Sequence, residues 1–304
     1  MKKSKFLDQL IDRALEKKSS ILLPEINDER IQKAIIKLKN LGFNILDLND
    51  FSNNDKYIKY FFSKKFSDNW PEKEVIKYLD NPLNKALTIL ACDEIDGVVA
   101  GASTSTADVL RSALRIVGID PNYKWISSSF LMIGENPEQI FTYSDCAVIP
   151  EPNSEQLAMI AKASSDMHQL ITNQKPKIAF LSFSTNGSAS HYRVDRVKDA
   201  VKIFKKKYPN ILHEGEIQFD AAISSDIAKR KNPNTRLNGP ANIFVFPNID
   251  AGNISYKITR QLAGFSAWGP LLQGLSRPVH DLSRGCSVDD IINVTAIACI
   301  QKAH

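Results

Sequence analysis

A regular alternation of short apolar runs with amphipathic helical patterns constrains the fold more than any other feature of the chain. The run KIAFLSFS at 177–184 begins with continuous apolar residues, which is typical of a strand buried on both faces. Most such runs are followed by a helical pattern of about ten to fifteen residues, and this order predicts parallel strands joined by βαβ crossovers. The sequence therefore predicts an α/β fold with mainly parallel sheets flanked by helices.

The individual elements follow from hydrophobic periodicity and from start and stop signals. Strands are predicted at 20–25, 43–48, 96–102, 124–133, 145–150, 177–184, 241–247 and 269–275. Asn27 or Asp28 is the expected cap of the first helix after a strand. Helices are predicted at 1–15, 27–42, 84–94, 105–118, 154–170, 191–209, 220–231, 251–265 and 287–303. The polar stretch 49–81 predicts short helices on the surface.

The length of the chain indicates two domains. Its 304 residues exceed the roughly 250–300 residues at which a single hydrophobic core usually stops growing. The pattern breaks at 120–122, where Asp-Pro-Asn follows a predicted helix, and this is the first candidate boundary. Apolar residues make up 43% of the chain, which is enough for two cores.

Charge and cysteine usage narrow the function classes. The net charge of +5 is mild, and the basic pairs lie beside acids or on amphipathic helices, so no nucleic-acid partner is expected. Asp8, Asp12 and Arg13 interrupt the N-terminal apolar residues, which predicts an amphipathic helix and not a signal peptide. No run of about eighteen apolar residues occurs, so no membrane contact is expected. The four cysteines form no CxxC pair and no zinc spacing, which indicates a reducing, cytoplasmic location and no metal site.

The stretch HDLSRGCSVDDI at 280–291 concentrates reactive side chains beside a glycine. Ser287 and Asp290 form an S-x-x-D pair just before an apolar run, which is the pattern of a helix capping box. Asp290 is also a candidate general base. A helix N-terminus stabilises a carboxylate and so weakens it as a base, and the capping and catalytic interpretations both remain open.

Arg284 is the candidate anion ligand of this stretch. Its planar guanidinium can bind a carboxylate or phosphate through two hydrogen bonds, and the adjacent Gly285 lets a ligand approach the backbone closely. The alternative is a surface arginine that pairs with Asp281 or Asp289.

Cys286 is the most reactive residue type of the stretch. Beside an arginine and a helix N-terminus its thiol pKa could be lowered, which would suit a nucleophile. A nucleophilic cysteine normally needs a histidine partner, however, and only His280 is near in sequence. We therefore favour a small buried cysteine over an acyl-carrying one.

A second polar turn, GASTSTADVLR at 101–111, leads from a predicted strand into a helix. Its hydroxyls, including those of Ser105 and Thr106, and the backbone N–H groups at a helix start suit a phosphate, and Arg111 follows two turns in. No GxxxxGK[ST] motif is present, and a capped helix explains the spacing equally well. A third turn of this type is FSTNGSASHY at 183–192.

Together these stretches closely resemble the phosphate acetyltransferase (phosphotransacetylase) family. The motif DLSRG with an aspartate seven residues after its serine, combined with GNISYK, is highly specific. The stretch 49–81 matches poorly and looks shortened. The matching segments run in family order and are LPEINDER, DGVVAGASTSTADVLRSAL, DCAVIPEPNSEQLAMIA, LSFSTNGSAS, GEIQFDAAISSDIAKRKNP, FVFPNIDAGNISYK and GPLLQGLSRPVHDLSRGCSVDDI.

The resemblance implies an activity and an architecture. The family moves an acetyl group between acetyl phosphate and coenzyme A, which is a substrate, and no cofactor is permanently bound. Its fold has two α/β domains like those of isocitrate and isopropylmalate dehydrogenases, with the active site in the interdomain cleft, and the family is usually dimeric. Because the C-terminal segment of that fold returns to the first domain, we expect domain I at 1–122 plus 270–304 and domain II at 123–269.

The resemblance also implies residue roles. Asp290 would take the proton of the coenzyme A thiol, and the thiolate would attack the acetyl carbonyl directly, without an acyl-enzyme. Ser283 would hydrogen-bond the developing oxyanion or the phosphoryl group. Arg284 and Arg111 would hold the phosphate charge, so that no metal is needed. Further ligand contacts are implied for Ser105, Thr106, Ser128, Asn253, Tyr256, Lys257 and Arg260.

Four positions depart from the family pattern. Thr104 stands where the family usually has His, Ser112 where it has Pro, and Ile26 where it has Gly. The family's Gln-Arg pair after Tyr-Lys is reversed at 260–261, and a shift of one residue turns a helical side chain by about 100°. Two alternatives are therefore kept beside the acetyltransferase: a phosphate butyryltransferase with a wider acyl pocket, and a weakly active homologue that senses coenzyme A or an acyl phosphate.

Overall fold

The computed structural model describes residues 5–52, 54–136, 139–237 and 239–301. The chain divides into two compact units, one formed by 1–122 with 275–304 and the other by 123–274. Residues 270–274, which the sequence analysis assigned to the first domain, belong to the second unit because the strand Ser266–Gln273 pairs within its sheet. No helix within the described ranges is long and apolar enough to cross a membrane.

The described residues contain ten β-strands in two sheets. They are β1 (Ser20–Leu22), β2 (Asn44–Leu46), β3 (Gly97–Ala100), β4 (Ser127–Ile133), β5 (Ile140–Ser144), β6 (Lys177–Leu181), β7 (Leu212–Ile217), β8 (Ile243–Val245), β9 (Ser266–Gln273) and β10 (Val279–Asp281). The first unit holds a parallel sheet in the order β10-β3-β1-β2, and the second a sheet in the order β7-β6-β8-β5-β4-β9. In the second sheet β4 runs antiparallel to β5 and β9, and the remaining pairs are parallel. The predicted α/β fold with mainly parallel sheets is confirmed.

The same parts of the chain contain twelve α-helices. They are α1 (Lys5–Glu16), α2 (Glu29–Asn40), α3 (Asn54–Phe62), α4 (Glu72–Leu79), α5 (Pro82–Ala91), α6 (Thr106–Ile116), α7 (Ser154–Thr172), α8 (Tyr192–Lys207), α9 (Phe219–Ile223), α10 (Ser225–Lys231), α11 (Ile249–Leu262) and α12 (Val288–Ile300). Asp28 caps α2, because its side chain accepts a hydrogen bond from the Arg30 amide.

The C-terminal helix α12 lies in the core of the first unit. Every residue from Ile291 to Ile300 is buried, and the helix contacts α1, α2 and β3. A helix that is apolar on all sides must be covered on all sides. Its partly exposed first turn is therefore continuous with a segment that is anchored in the core.

The predicted strand at 145–150 is wrong. The preceding segment forms β5, which ends at Ser144, and the carboxylate of Asp145 then accepts hydrogen bonds from the amides of Ala147, Val148 and Ile149 at 2.9–3.2 Å. These amides bond to a side chain and are not available to a neighbouring strand. The segment is a tight loop around one aspartate.

Two helix predictions need correction. The predicted helix 220–231 is two helices, because Ser224 takes an extended backbone conformation and caps α10 through the amide of Ile227. Helix α11 begins at Ile249, two residues before the predicted start at 251. Gly252 lies inside α11, where a Cβ atom would stand 2.4 Å from the Asp145 carbonyl oxygen, so this glycine permits close packing and does not form a turn.

The stretch 49–81 forms short helices as predicted, but it is not a purely surface segment. Tyr57 and Phe61 are fully buried. The Phe61 ring meets those of Phe66 and Tyr78 edge to face, with centroids 5.7 and 5.4 Å away, and Trp70 continues the cluster against Phe66. The polar composition of the stretch hides a small aromatic core.

Two adjacent phenylalanines test this aromatic core. Phe61→Ala should lower the free energy of unfolding by about 3–5 kcal/mol, because it removes a fully buried ring. Phe62→Ala is the matched control, since Phe62 is 43% exposed and its loss should cost well under half as much. Urea unfolding of both variants measures the difference. Equal costs would contradict a packed core in this stretch.

Candidate active site

The carboxyl ends of β1, β3 and β10 lie at one edge of the parallel sheet in the first unit. Three loops start there: 23–28 after β1, 101–105 after β3 and 282–287 after β10. Ligands of open α/β sheets bind outside this edge, so these loops are where the first unit would contribute to a site.

Arg30 on α2 ties the three loops together. Its guanidinium makes a two-point ion pair with Asp28 at 2.7 and 3.0 Å. It also donates to the carbonyl oxygens of Ala102 at 2.7 Å, Arg284 at 2.7 Å and Cys286 at 3.1 Å. One side chain thus fixes the loops after β3 and β10 relative to each other.

Glu25 occupies the N–H groups of the turn after β3. Its carboxylate accepts from the amides of Ala102, Ser103 and Thr104 at 2.7–3.1 Å and from the Ser103 hydroxyl at 3.0 Å. The sequence analysis predicted that these donors would bind a phosphate. In the structure an internal carboxylate is the anion that they bind.

The predicted ligands on α6 are also engaged within the chain. The Ser105 hydroxyl caps α6 by accepting from the Asp108 amide, and it donates to the Asp108 carboxylate at 2.7 Å. Arg111 pairs with the same carboxylate at 2.6 Å, with both side chains more than half exposed. Thr106 donates its hydroxyl proton to Asp281 Oδ2 at 2.6 Å.

In the DLSRG motif Asp281 and Leu282 are buried, and the side chains that reach solvent begin at Ser283. The Ser283 hydroxyl oxygen accepts from the Gly285 amide at 3.3 Å, which leaves its O–H available as a donor. The Arg284 side chain is exposed while its carbonyl is held by Arg30. The alternative pairing of Arg284 with Asp281 or Asp289 is not among the ion pairs of the described residues.

The capping box at the start of α12 is confirmed. The Ser287 hydroxyl accepts from the Asp290 amide at 3.1 Å, and Asp290 Oδ2 accepts from the Ser287 amide at 2.9 Å. Asp290 is partly exposed, so a ligand can reach its carboxylate. The cap therefore orients the residue that the sequence analysis proposed as the base.

Cys286 is a buried thiol, as favoured from the sequence. It is 5% exposed, and burial raises the pKa of its thiol to about 11 although Arg30 Nη1 lies 3.7 Å from the sulfur. His280 is fully buried on β10, and burial lowers its pKa to about 4. A thiol whose pKa is raised in this way does not favour nucleophilic catalysis.

Asp281 is a residue whose importance the sequence analysis missed. It ends β10, it is fully buried, and burial raises the pKa of its carboxyl to about 7. A Cβ atom on Gly101, whose φ is +105°, would stand 2.1 Å from Asp281 Oδ1, so only glycine permits this approach. Its position directly after a buried strand and before Leu-Ser-Arg-Gly was the available signal.

Glu25 and Arg30 were quoted in the sequence analysis only as part of a matching segment. Both follow the buried strand β1 and lie at the carboxyl edge of the sheet. Apart from Asp28, their side-chain hydrogen-bond partners are 72 to 256 positions away in the chain, so no local pattern could reveal these contacts.

In the second unit, Ser128 is fully buried in β4. Its hydroxyl donates to Asp145 Oδ1 at 2.5 Å, and the Cys146 amide donates to the same hydroxyl at 3.4 Å. Ser128 thus supports the loop around Asp145.

The remaining predicted ligands lie along α11. Asn253 donates to the Cys146 carbonyl at 3.0 Å, and Tyr256 is 8% exposed and stacks on Phe130 with centroids 4.0 Å apart. Lys257 is exposed, with its ammonium 5.9 Å from the Tyr256 ring centroid, and Arg260 is partly exposed. The neighbouring residue, Gln261, is exposed.

The third predicted anion turn, in the second unit, repeats the arrangement at Glu25. Glu216 Oε1 accepts from the Ser184 hydroxyl at 2.9 Å and from the Gly187 amide at 2.7 Å. Glu216 is buried, with Lys198 at 3.9 Å. Here too an internal glutamate occupies the donors of a Ser/Gly-rich turn.

Among the described residues, the cavity next to α4 and α5 lies away from the predicted ligands, and no metal-binding cluster accompanies them. A cavity of about 420 Å³ lies against α4 and α5, and its lining includes Trp70, Tyr78 and Asn84 but none of the predicted ligands. Among the described residues no group of three or more His, Cys, Asp or Glu side chains could hold a metal ion.

Comparison with known proteins gives consistent matches. A family profile described as "Phosphate acetyl/butaryl transferase" matches residues 35–299. The chain is 37% identical over 327 residues to the phosphate acetyltransferase of Acetivibrio thermocellus, covering 98% of both chains. It superposes on a phosphotransacetylase from Streptococcus pyogenes with a TM-score of 0.90 and 35% identity, over 99% of each chain. A branched-chain phosphotransacylase from Enterococcus faecalis shares the fold, with a TM-score of 0.67 and 19% identity over 93% of this chain and 99% of that one.

The raised pKa of Asp281 predicts a pH dependence of stability. Between about pH 4 and pH 7 the folded chain keeps a proton on Asp281 that the unfolded chain has released, so this group's contribution to stability falls as pH rises through that window. Asp281→Asn removes the titration and retains an oxygen that can accept from Thr106. The variant should therefore gain stability over the wild type between pH 5 and pH 8, by about 2 kcal/mol.

Denaturant unfolding of both proteins at pH 5 and pH 8 measures this gain. Other titrating groups cancel because the two proteins are compared at each pH. A difference that is the same at both values would contradict a protonated Asp281 in the folded state.

Proposed function

Because the chain belongs to the phosphate acetyl/butaryl transferase family, we propose that it is an acyltransferase that moves an acetyl group reversibly between acetyl phosphate and coenzyme A. The arrangement of Ser283, Arg284 and Asp290 carries the proposal. All three follow β10 at the carboxyl edge of the sheet, and the core helix α12 holds the base in its first turn.

In the proposed reaction Asp290 takes the proton of the coenzyme A thiol. The resulting thiolate sulfur forms a bond to the acetyl carbonyl carbon, and the bond from that carbon to the phosphate oxygen then breaks. Phosphate leaves with the electron pair, and acetyl coenzyme A is the other product. The capping hydrogen bond from the Ser287 amide to Asp290 Oδ2 holds this carboxylate in one orientation, as a base that must meet the thiol requires.

Ser283 would stabilise the oxyanion that develops on the carbonyl. Its hydroxyl oxygen already accepts from the Gly285 amide, so the O–H proton is the group that it can offer. A donor held in place before the reaction lowers the barrier without reorganising during it.

Arg284 and Arg111 would neutralise the phosphate. Arg111 must first exchange the Asp108 carboxylate for the ligand, and this exchange costs little because water screens an exposed ion pair. The Thr106 hydroxyl donates its hydrogen bond to Asp281, so Thr106 would meet a ligand through its backbone amide. Asn253, Lys257 and Arg260 on α11 remain proposed ligand contacts by resemblance to the family.

We further propose that the protein acts in the cytoplasm as a homodimer. The four cysteines, all within the described chain, are free thiols, which suits a reducing compartment. Helix α11 carries an exposed apolar stripe with four-residue spacing at Ile254, Ile258 and Leu262, the last 83% exposed, and a second copy of the chain is the proposed cover of this face.

The base assignment predicts a large loss of rate in Asp290→Asn. The amide keeps an oxygen that can accept from Ser287, so the cap and the stability should change little while proton removal is lost. We expect kcat to fall by about 100-fold or more in a thiol-coupled assay with coenzyme A and acetyl phosphate. Cys286→Ala should retain most of the rate, because its thiol is protonated and buried.

Several results would contradict this. If the wild type turned over none of acetyl, propionyl and butyryl phosphate, the proposed acyltransferase activity would be wrong. Calorimetry with coenzyme A would then test whether the protein binds this ligand as a sensor. Faster turnover of butyryl phosphate would indicate the wider acyl pocket. A large loss of kcat in Cys286→Ala would support the alternative hypothesis that Cys286 is the nucleophile.

The dimer is tested by light scattering of the purified protein. Twice the chain mass is expected at micromolar concentration, and Leu262→Asp should shift the protein toward the monomer, because a charge on the stripe must be desolvated at the interface. A monomeric wild type would contradict the proposal.

A further inference from the structure

One buried carboxyl connects the two loops that carry most of the proposed site in the first unit. Asp281 is the last residue of β10, and it lies 175 positions from Thr106, the first residue of α6. The 2.6 Å hydrogen bond from the Thr106 hydroxyl to Asp281 Oδ2 joins the start of that helix to the end of the strand.

The second carboxyl oxygen is poorly satisfied. Asp281 Oδ1 is buried and has no hydrogen bond of acceptable geometry within the described residues. The nearby Leu282 amide donates to the Ala100 carbonyl at 2.7 Å instead, and Gly101 covers the oxygen on another side. A half-satisfied buried carboxyl costs more than an apolar residue of the same size, so stability alone does not explain it.

The backbone on either side of this carboxyl leads directly to proposed site residues. Leu282 is held against β3 by its bond to Ala100, and Ser283 and Arg284 follow at once. On the other side, Thr106 follows the cap residue Ser105, and Arg111 lies on the same helix. A displacement of Asp281 would therefore move both loops.

We propose that Asp281 is a positioning residue for the acyl-transfer reaction. Its hydrogen bond with Thr106 fixes the position of the Ser283–Arg284 turn relative to the start of α6. The inference rests on the proposed function. It differs from the role of Arg30, which holds the backbone carbonyls of the same two loops, because Asp281 holds a side chain from within the core.

The position of Asp281 decides which kinetic constant should respond. Its side chain is buried under Gly101 and does not reach the surface, so it contacts no substrate. The charged group that faces it is Glu25, whose negative charge opposes ionisation of Asp281. Loss of the hydrogen bond should therefore lower kcat, while the KM values for coenzyme A and acetyl phosphate change little.

The test compares four variants in the thiol-coupled assay, with rates normalised to the folded fraction from circular dichroism. Thr106→Val removes the donor with almost no change of shape, and kcat should fall about 10- to 100-fold, the loss expected from a misplacement near 1 Å. Asp281→Ala removes the acceptor and should cause a similar loss. Thr106→Ser and Asp281→Asn retain a donor and an acceptor, and both should keep kcat within about three-fold of the wild type.

Two variants elsewhere in the first unit are matched controls. Thr88→Val removes a buried hydroxyl that donates to the Asn84 carbonyl, and Asp96→Asn changes a carboxylate that accepts from Ser20 at the opposite end of the sheet. Neither should change kcat of the folded protein by more than about three-fold.

The outcomes separate this inference from the proposed function. An active wild type with Thr106→Val no slower than Thr88→Val would overturn the positioning role and leave the acyltransferase in place. If Asp281→Ala fails to fold, Thr106→Val and Thr106→Ser still decide the question. A wild type without turnover would remove both proposals, and a raised KM at unchanged kcat would indicate a substrate contact in place of positioning.

Discussion

The candidate site depends on the guanidinium of Arg30. The loops after β3 and β10 contain backbone carbonyls that need hydrogen-bond donors. Arg30 donates to the carbonyls of Ala102, Arg284 and Cys286, and the Asp28 carboxylate balances its charge. A planar group with five donors can reach these acceptors at once, and a lysine ammonium cannot. Two further bonds reinforce this link, one from the Leu282 amide to the Ala100 carbonyl and one from the Thr106 hydroxyl to Asp281.

The carboxylates near these loops change the expected picture of phosphate binding. Ser/Gly-rich turns at the ends of strands commonly bind anions through backbone amides, yet Glu25 and Glu216 already fill two such turns. In the proposed reaction, the phosphate would therefore be neutralised mainly by the side chains of Arg284 and Arg111. The turns serve instead to hold the chain in a fixed conformation beside the ligand.

Local signals were enough to predict most of the fold. Hydrophobic period located the helices, and the caps at Asp28, Ser105 and Ser287 could be anticipated from residue type because each bonds to an amide two or three positions away. The errors arose where a contact is remote or the element is short. The loop around Asp145 folds over the carboxylate of that one residue, and β10 has only three residues. Gly252 lies inside a helix and is needed there because the Asp145 backbone packs against it. For the same reason the sequence analysis proposed candidates that face outward and did not single out Arg30 and Asp281, whose remote partners are brought close by the sheet.

The burial of α12 has a consequence for how the site is lost. Segments that open independently of the rest of a protein have few buried contacts, whereas this helix is covered along its whole length from Ile291 to Ile300. The carboxylate in its first turn cannot leave its place unless the core of the unit opens as well. Unfolding by heat or denaturant should therefore show no intermediate in which the chain is folded but its proposed base is disordered. Slow amide hydrogen exchange at the start of α12 would indicate that the proposed base is still in place.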